Sequence, residues 1–270
     1  MTSLEDAVVV LTGAAGGIGR ATTARLVERG AQVVAVDKDR PGLAALTRAH
    51  GGTVTSYDVD LGDLSRLDAL ATAVTEAHGP VDALVHNAGL TVQGEFRDMT
   101  TAQIQRVLDI DLRSPIELTR AFLPRLAESA QVVFVSSMSA IQPFPTQSTY
   151  SAAKAGLRAF AEVLRIESTT LGVSVVLPGT IATPFLENAD THDAKTTASL
   201  AELMLRFGTD PDRVAAAIVS AIERGRPVVR VGWDCYTVSA VRWLCPELLP
   251  RLLRRARRLR WLGRSRPARS

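Results

Sequence analysis

"VVVLTGAAGGIGRA", residues 8–21, joins a β-branched apolar run to a glycine-rich turn and the start of a helical pattern. Glycine tolerates left-handed backbone and lets a ligand approach the main chain closely, so Gly13, Gly17 and Gly19 indicate a tight strand-to-helix turn. The helix that follows presents free N–H groups and the positive end of its dipole to the turn. The stretch therefore predicts a binding site for a pyrophosphate at the end of the first strand. A tight turn that binds nothing is the alternative interpretation.

An acidic residue lies where a dinucleotide site needs one. Asp37 ends the second apolar run, "QVVAVD" (32–37). In a βαβ unit an acid at this place accepts hydrogen bonds from the adenosine ribose. Its charge would repel a 2′-phosphate, so the sequence favours NAD over NADP as cofactor. Lys38 follows directly and weakens that preference.

Apolar runs alternate with helical patterns along the chain. The predicted strands are 8–12, 32–37, 52–59, 82–87, 131–137, 172–178 and 226–232, and the predicted helices lie near 17–29, 41–49, 63–78, 100–127, 148–171 and 211–224. Near-continuous apolar strands separated by helices predict an α/β fold, a doubly wound Rossmann-type sheet of seven parallel strands with helices on both faces. We expect residues 1–232 to form this domain and residues 233–270 a Trp- and Arg-rich C-terminal extension. Residues 183–208 fit the alternation poorly and are predicted to form a lid.

"STYSAAKAGL", residues 148–157, places Tyr150 and Lys154 four positions apart on one helix face. A phenol has a pKa of about 10 and is a poor base at neutral pH. An ammonium about 4 Å away, at an effective dielectric of about 20, favours the phenolate by about 4 kcal/mol. The spacing therefore predicts that Lys154 lowers the Tyr150 pKa towards neutrality, where a general acid/base works best. An exposed pair without a function is the alternative.

Several further motifs occur in a fixed order. "TGAAGGIG" (12–19) has the form T-G-x-x-x-G-x-G, "DV" (58–59) follows the third strand, and "HNAG" (86–89) follows the fourth. Ser137 ends the fifth strand, "YSAAK" (150–154) has the form Y-x-x-x-K, and "PGTIAT" (178–183) follows the sixth strand. Together they resemble the short-chain dehydrogenase/reductase family, in its common single-domain branch, over about residues 5–232.

The resemblance implies an NAD(P)-dependent oxidoreductase that interconverts a secondary alcohol and a ketone by direct hydride transfer. Ser137 would hydrogen-bond the substrate oxygen, Tyr150 would exchange its proton, and Lys154 would hold the nicotinamide ribose. The residues that the resemblance assigns to cofactor binding are Gly13, Gly17, Ile18, Gly19, Asp37, Asp58, Val59, Asn87, Ala88, Gly89, Tyr150, Lys154, Pro178, Ile181 and Thr183. A cofactor-binding sensor or scaffold with little catalysis is the alternative function.

Two residues depart from the family pattern. Asp111, in "LDIDLRSP", occupies the position of a family asparagine that supports a proton path to the lysine. It keeps an acceptor but loses the amide donor and adds charge, so we expect it to take part in catalysis through an altered proton relay. His86 replaces the first asparagine of N-N-A-G, and a strand-end histidine without a catalytic role is the favoured interpretation.

Composition limits the remaining choices. No apolar run is long enough to span a membrane and no secretory leader is apparent, so we expect a cytoplasmic protein. Cys235 and Cys245 match no disulfide or metal-site spacing, and the four histidines form no cluster, so no metal site is predicted. The segments expected to build the substrate pocket are mostly apolar, which favours a neutral, moderately hydrophobic alcohol or ketone. The resemblance further implies a homodimer or homotetramer paired through the helices near 100–127 and 148–171.

The extension is unusual in composition. Residues 251–270 contain nine arginines and no acid, and all three tryptophans of the chain follow residue 232. Leu249, Leu252, Leu253, Ala256 and Leu259 share one side of a predicted helix, and Arg251, Arg254, Arg255 and Arg258 fill the other. A basic amphipathic helix is typical of peripheral membrane contact. Packing against the body or a partner subunit, and a partly disordered end, are the alternatives. Nucleic-acid binding is disfavoured, because outside residues 251–270 the acids outnumber the bases.

Overall fold

The computed structural model describes residues 3–187 and 189–264, and the side chains of residues 258–264 lie outside that description, including the predicted positions Arg258 and Leu259. Seven parallel strands form one sheet, namely β1 (Val8–Thr12), β2 (Gln32–Asp37), β3 (Val54–Asp58), β4 (Val81–His86), β6 (Leu126–Val135), β7 (Gly172–Pro178) and β9 (Val228–Val231). Their order across the sheet is β3-β2-β1-β4-β6-β7-β9. The predicted doubly wound, seven-stranded parallel sheet is confirmed.

Helices connect the strands. They are α1 (Gly17–Val27), α2 (Arg40–His50), α3 (Leu67–His78), α4 (Thr101–Leu108), α5 (Ser114–Phe122), α6 (Ser148–Glu167), α7 (Ala194–Phe207), α8 (Pro211–Arg224), α9 (Trp233–Leu244) and α10 (Leu248–Arg264). One apolar layer packs α1 and α8 against the sheet, and a second packs α3, α5 and α6 against the other face. Central strands buried on both faces explain why their sequences are continuous apolar runs.

Two regions differ from the sequence-based expectation. The long helix predicted near 100–127 is divided by a π-helical turn, Asp109–Arg113, which joins α4 to α5. The lid segment contains α7 and a short strand, β8 (Asp190–Thr191), that pairs in parallel with β5 (Val92–Gln93). Two-residue strands give no periodic signal, so neither was visible in the sequence pattern.

The start of the predicted extension packs into the body of the protein. In α9, Cys235 is fully buried and Val238 packs against the core cluster on the α3, α5 and α6 face of the sheet. By contrast, α10 is mostly exposed over the residues whose side chains are described. The division of the chain at residue 232 stays a prediction. No helix among the described residues is long and apolar enough to cross a membrane.

Candidate active site

A cavity of about 590 Å³ opens at the carboxyl ends of the parallel strands, which is where ligands bind in open α/β sheets. Its walls come from the loops after β1, β2, β3, β4, β6 and β7 and from α6 and α7. Most of the residues predicted from the sequence line it, namely Gly13, Gly17, Ile18, Gly19, Asp37, Val59, Asn87, Ala88, Gly89, Ser137, Tyr150, Lys154, Pro178, Ile181 and Thr183. The fold therefore gathers the separate motifs around one space.

The glycine-rich turn lines the cavity and packs closely against the neighbouring backbone. Gly13 has φ +65°, and a β-carbon there would lie 2.7 Å from Ala88 Cα. A β-carbon on Gly19 would collide with the carbonyl oxygen of Gly13. Asp37 accepts a hydrogen bond from the Ala15 N–H at 3.0 Å and so fixes the turn against the end of β2. The result is a backbone cradle at the N-terminus of α1, which fits a pyrophosphate group.

Thr12 and Asn87 join the ends of β1 and β4. The Thr12 hydroxyl accepts from the backbone N–H groups of Asn87 and Ala88, each at 3.1 Å. In return, the Asn87 amide donates to the carbonyl oxygens of Thr12 and Gly13 at 3.1 and 3.0 Å. Two neighbouring loops of the cavity wall are thus held in register by side chains.

Ser137, Tyr150 and Lys154 meet at the centre of the cavity wall. Ser137 follows β6, and Tyr150 and Lys154 lie on consecutive turns of α6. Ser137 lies close enough to Tyr150 to lower the pKa of the phenol, and the Lys154 ammonium lies 5.7 Å from the centre of the phenol ring. Tyr150 is half-buried, whereas only 4% of the Lys154 side chain is exposed. The arrangement presents one hydroxyl and one phenol to a ligand, with an ammonium behind them.

Asp111 lies behind the lysine and away from the cavity. Its carboxylate is fully buried in the π-helical turn, and Oδ1 lies 2.9 Å from Lys154 Nζ. The other oxygen, Oδ2, accepts from the Leu90 N–H at 3.1 Å. Gly89 packs directly on this ion pair, because a β-carbon there would lie 2.6 Å from Asp111 Oδ1. Lys154 also donates to the Val135 carbonyl oxygen at 3.2 Å, so its ammonium is fixed from two sides.

The predicted pKa of the phenol is wrong in direction. Burial raises the pKa of Tyr150 above its ordinary value, and the Asp111 carboxylate raises it further. Lys154 and Ser137 lower the Tyr150 pKa, but by less than burial and Asp111 raise it. The spacing of Tyr150 and Lys154 shows the favourable ammonium but neither the desolvation of the phenol nor the carboxylate that neutralises the lysine.

The ion pair keeps the lysine charged. Burial disfavours the Lys154 ammonium, but Asp111 and Tyr150 favour it more strongly, so the Lys154 pKa lies above its ordinary value. For Asp111, burial outweighs the ammonium and the Leu90 N–H, so the carboxyl pKa is also raised. The pair therefore brings little net charge towards the phenol.

Asp58 and His86 lie outside the cavity wall. The Asp58 carboxylate forms an ion pair with Arg40 of α2, and the residues that line this part of the cavity are Val59 and Asp60. His86 is buried between Thr119, whose hydroxyl lies 2.8 Å from Nε2, and Phe134, on which its ring stacks. Burial, assisted by Lys154, lowers the His86 pKa to about 3, so this imidazole is neutral near pH 7. The surroundings of His86 are those of a core histidine.

Apolar side chains line the other end of the cavity. They are Leu90, Met138, Phe144, Pro145, Pro184, Phe185, Leu186, Leu200, Leu203 and Met204, and they come from the segments expected to build the substrate pocket. The lid is fastened there by the β5–β8 pairing, and the Thr146 hydroxyl, which donates to Gln93 at 3.0 Å, joins β5 to the loop before α6. Thr146 has φ +69°, a left-handed conformation that is uncommon for a β-branched residue. Gln93 and Gln142 are buried but do not line the cavity.

Sequence reasoning missed two supporting residues. Thr12 belongs to the quoted T-G motif, but its role as an acceptor for Asn87 and Ala88 appears only when β1 and β4 lie side by side. Asp234, in the first turn of α9, accepts from the Thr180 N–H at 2.7 Å and fixes the loop after β7. No local pattern joins positions that are 54 residues apart. Among the residues that the structure describes, no group of three or more His, Cys, Asp or Glu could hold a metal ion.

Comparison with known proteins gives a consistent result. A family model described as short chain dehydrogenase matches residues 7–194. A probable oxidoreductase, EphD of Mycobacterium tuberculosis, is 32% identical over 94% of the chain, and the chain spans 45% of that protein's length. The ketoacyl reductase HetN of Nostoc sp. is also 32% identical, over 97% of the chain and 91% of HetN.

Solved structures share the fold. A short-chain dehydrogenase/reductase from Burkholderia phymatum in complex with NAD superimposes with a TM-score of 0.84 over 92% of this chain and 97% of that one, at 24% identity. A metagenomic short-chain oxidoreductase in complex with NADP has a TM-score of 0.70 over 85% of this chain and 97% of that one, at 29% identity. Structural neighbours thus include complexes with either nicotinamide dinucleotide.

Proposed function

Since the chain belongs to the short-chain dehydrogenase family, whose members are oxidoreductases that use a nicotinamide cofactor, we propose that it is an NAD-dependent enzyme interconverting a secondary alcohol and a ketone. Its substrate is a neutral, moderately hydrophobic small molecule. The observation that carries the proposal is the convergence of Ser137, Tyr150 and Lys154 on a cavity that also contains the glycine-rich turn.

The residues present fit the cofactor. Gly13, Gly17 and Gly19 line the cavity at the N-terminus of α1, whose free backbone N–H groups receive the pyrophosphate. Asn87, Ala88 and Gly89 line the middle of the cavity, and Pro178, Ile181 and Thr183 line the end that receives the nicotinamide. When bound, the nicotinamide supplies or accepts the hydride.

The choice of NAD rests on Asp37. Its carboxylate ends β2 beside the glycine-rich turn and lines the cavity, where it accepts from the ribose hydroxyls and repels a 2′-phosphate. Lys38 also lines the cavity and opposes this preference. The nearby Arg40 is engaged with Asp58, which reduces the positive charge that it offers to a phosphate.

Three side chains, from α6 and from the loop after β6, take part in proton transfer. Ser137 donates to or accepts from the substrate oxygen beside the Tyr150 phenol, since both side chains line the cavity. In alcohol oxidation Tyr150, as phenolate, takes the hydroxyl proton, and in ketone reduction its phenol returns it. Lys154 binds the nicotinamide ribose and favours the phenolate, and Asp111 acts through Lys154 as a positioning residue. Because burial and Asp111 raise the Tyr150 pKa, oxidation should be faster at alkaline pH.

The substrate class follows from the cavity lining. Beside the lid, the described side chains that line the cavity are chiefly those of Leu, Met, Phe and Pro, with polar groups from Thr91, Ser139, Thr146 and Gln147. A charged substrate would lose its hydration there without gaining an ion pair. A neutral ketone or alcohol with an apolar body fits better.

A cofactor-binding sensor with little catalysis is the second candidate. The observation that favours it is the raised Tyr150 pKa, since Asp111 offsets the charge of the lysine that activates the phenol. A panel of secondary alcohols with NAD or NADP, and of ketones with NADH or NADPH, followed by the absorbance of the reduced nicotinamide, separates the two. We expect turnover with the neutral, apolar members and higher kcat/KM with NAD(H). Binding of NAD without turnover of any member would support the sensor.

The same family resemblance leads us to propose a homodimer or homotetramer. On the outer face of α6, Val163 and Ile166 are 50% and 77% exposed, three positions apart. Two such side chains on one helical face form an apolar contact that a second copy would cover.

A further inference from the structure

Exposed apolar side chains of α7 border the mouth of the cavity. On α7, Leu200, Leu203 and Phe207 follow helical spacing on one face and are exposed by 36%, 54% and 64%. Leu200 and Leu203 also line the cavity, so the opening is bordered by apolar side chains. We call these three residues the apolar rim.

The outer face of α9 continues the rim. Trp233, Tyr236 and Trp243 share one face of this helix and are 76%, 59% and 82% exposed. A β-carbon on Gly232 would lie 3.0 Å from the Thr209 hydroxyl, so the chain just before Trp233 touches the chain just after Phe207. The exposed aromatic face of α9 therefore begins close to the apolar rim.

The helix α10 adds positive charge beside this surface. Arg251, Arg254 and Arg255 are exposed, Leu248 and Leu252 are 45% and 53% exposed, and residues 248–264 contain no acid. Arg257 forms an ion pair with Glu95, which follows β5, the strand that pairs with β8 of the lid. Thus α10 lies beside the strand that holds the lid, and its residues Arg251, Arg254 and Arg255 are exposed.

We infer that α9 and α10 dock on an anionic lipid bilayer, with the mouth of the cavity turned towards the lipid. Exposed tryptophan and tyrosine beside leucine and arginine match the composition of segments that lie at a membrane interface, where the rings enter the headgroup region and arginines meet anionic lipids. A second copy of the chain is a poorer occupant, because a twofold contact would bring two arginine-rich helices together. Docking itself is independent of the proposed enzymatic function.

The test measures co-sedimentation of the full chain with vesicles of phosphatidylglycerol and phosphatidylcholine in equal parts, and with vesicles of phosphatidylcholine alone. We expect binding to the anionic vesicles that weakens as salt is raised. Arg254→Gln combined with Arg255→Gln should weaken it roughly 30-fold, at about 1 kcal/mol for each charge. The matched control, Arg48→Gln with Arg66→Gln on the opposite half of the sheet, should bind as the unaltered chain does.

Tryptophan fluorescence supplies a second measurement, because all three tryptophans lie in residues 233–270. A blue shift with anionic vesicles, smaller in Trp233→Ala with Trp243→Ala, is expected. Absence of vesicle binding, equal binding by the arginine variant and its control, or loss of self-association instead of vesicle binding in the tryptophan variant would each overturn the inference. Turnover of a short-chain alcohol without vesicles reports on the enzymatic proposal separately.

Discussion

Asp111 is the residue whose surroundings most alter the chemistry expected of the site. It pairs with Lys154 at 2.9 Å in a region where both side chains are almost completely buried. An isolated ammonium would favour the Tyr150 phenolate strongly, whereas the ion pair favours it only weakly. Compared with the asparagine of the family pattern, Asp111 thus keeps a hydrogen-bond acceptor at this position but changes the charge that the phenol experiences.

Asp111→Asn should lower the pH at which alcohol oxidation becomes fast. Oxidation needs the phenolate, so its rate rises with pH through the Tyr150 pKa. Removing the carboxylate removes one cause of the raised Tyr150 pKa, so the rising part of the pH–rate profile moves to lower pH. The measurement is kcat against pH with one alcohol and saturating cofactor. Asp109→Asn, which affects a surface pair with Arg113 in the same turn, is the control and should leave the profile in place.

His86 makes a separate prediction about acid stability. Its folded-state pKa is about 3, below the ordinary value of 6.5, so between these values the unfolded chain binds a proton that the folded chain excludes. The folded state therefore loses stability as pH falls from 6.5 towards 3, by at most about 1.4 kcal/mol per pH unit from this residue. In His86→Gln, the difference in unfolding free energy between pH 6.5 and 4.5 should shrink by about 2 kcal/mol. Urea unfolding at both pH values measures it, with His50→Gln as control; an unchanged difference would refute the account.

Sequence patterns within single helices, strands and turns were enough to predict the features that lie within one element. The glycine spacing after β1 and the Tyr150–Lys154 spacing each lie within one turn or one helix, and the structure places both beside one cavity. The Asp111–Lys154 pair joins positions on different elements, and the β5–β8 pairing joins strands of only two residues. Neither has a periodic signal, so only the packed structure reveals that the lysine is neutralised and the lid is fastened.

The glycine-rich turn allows a direct test of its packing. Gly19→Ala should lower the free energy of unfolding by about 1–3 kcal/mol or more, because the new β-carbon collides with the Gly13 carbonyl. Gly16 is the matched control, since its φ is −73° and a β-carbon there would lie 3.5 Å from the same oxygen. Urea unfolding of both variants measures the difference. Equal effects at the two glycines would contradict the packing described for the turn.

At the scale of the whole molecule, the exposed face of α6 predicts self-association. Sedimentation velocity should show a dimer or a tetramer for the unaltered chain. Combining Val163→Glu with Ile166→Glu should shift the oligomeric state towards a monomer, because the contact would bury two charges. Leu205→Glu, on α7, is the control because it changes an exposed leucine away from α6. A monomeric unaltered chain would contradict the proposed assembly.

The parallel sheet explains how distant segments form one site. The carboxyl ends of β1, β2, β4, β6 and β7 lie at one edge, so the glycine-rich turn, Asp37, Asn87, Ser137 and the loop after β7 come together there. α6 then presents Tyr150 and Lys154 to the same space. We propose that Tyr150 transfers the proton in this space, and that a bound nicotinamide would exchange a hydride with the substrate.

Steady-state turnover by the Tyr150→Phe variant tests directly whether Tyr150 transfers the proton. The variant removes only the phenolic hydroxyl, so NAD affinity, measured by calorimetry, should stay within a few-fold of that of the unaltered chain. Its kcat for the best alcohol or ketone of the panel should fall by about 10²- to 10⁴-fold, the contribution typical of general acid–base catalysis. Turnover by the phenylalanine variant at the rate of the unaltered chain would contradict the account.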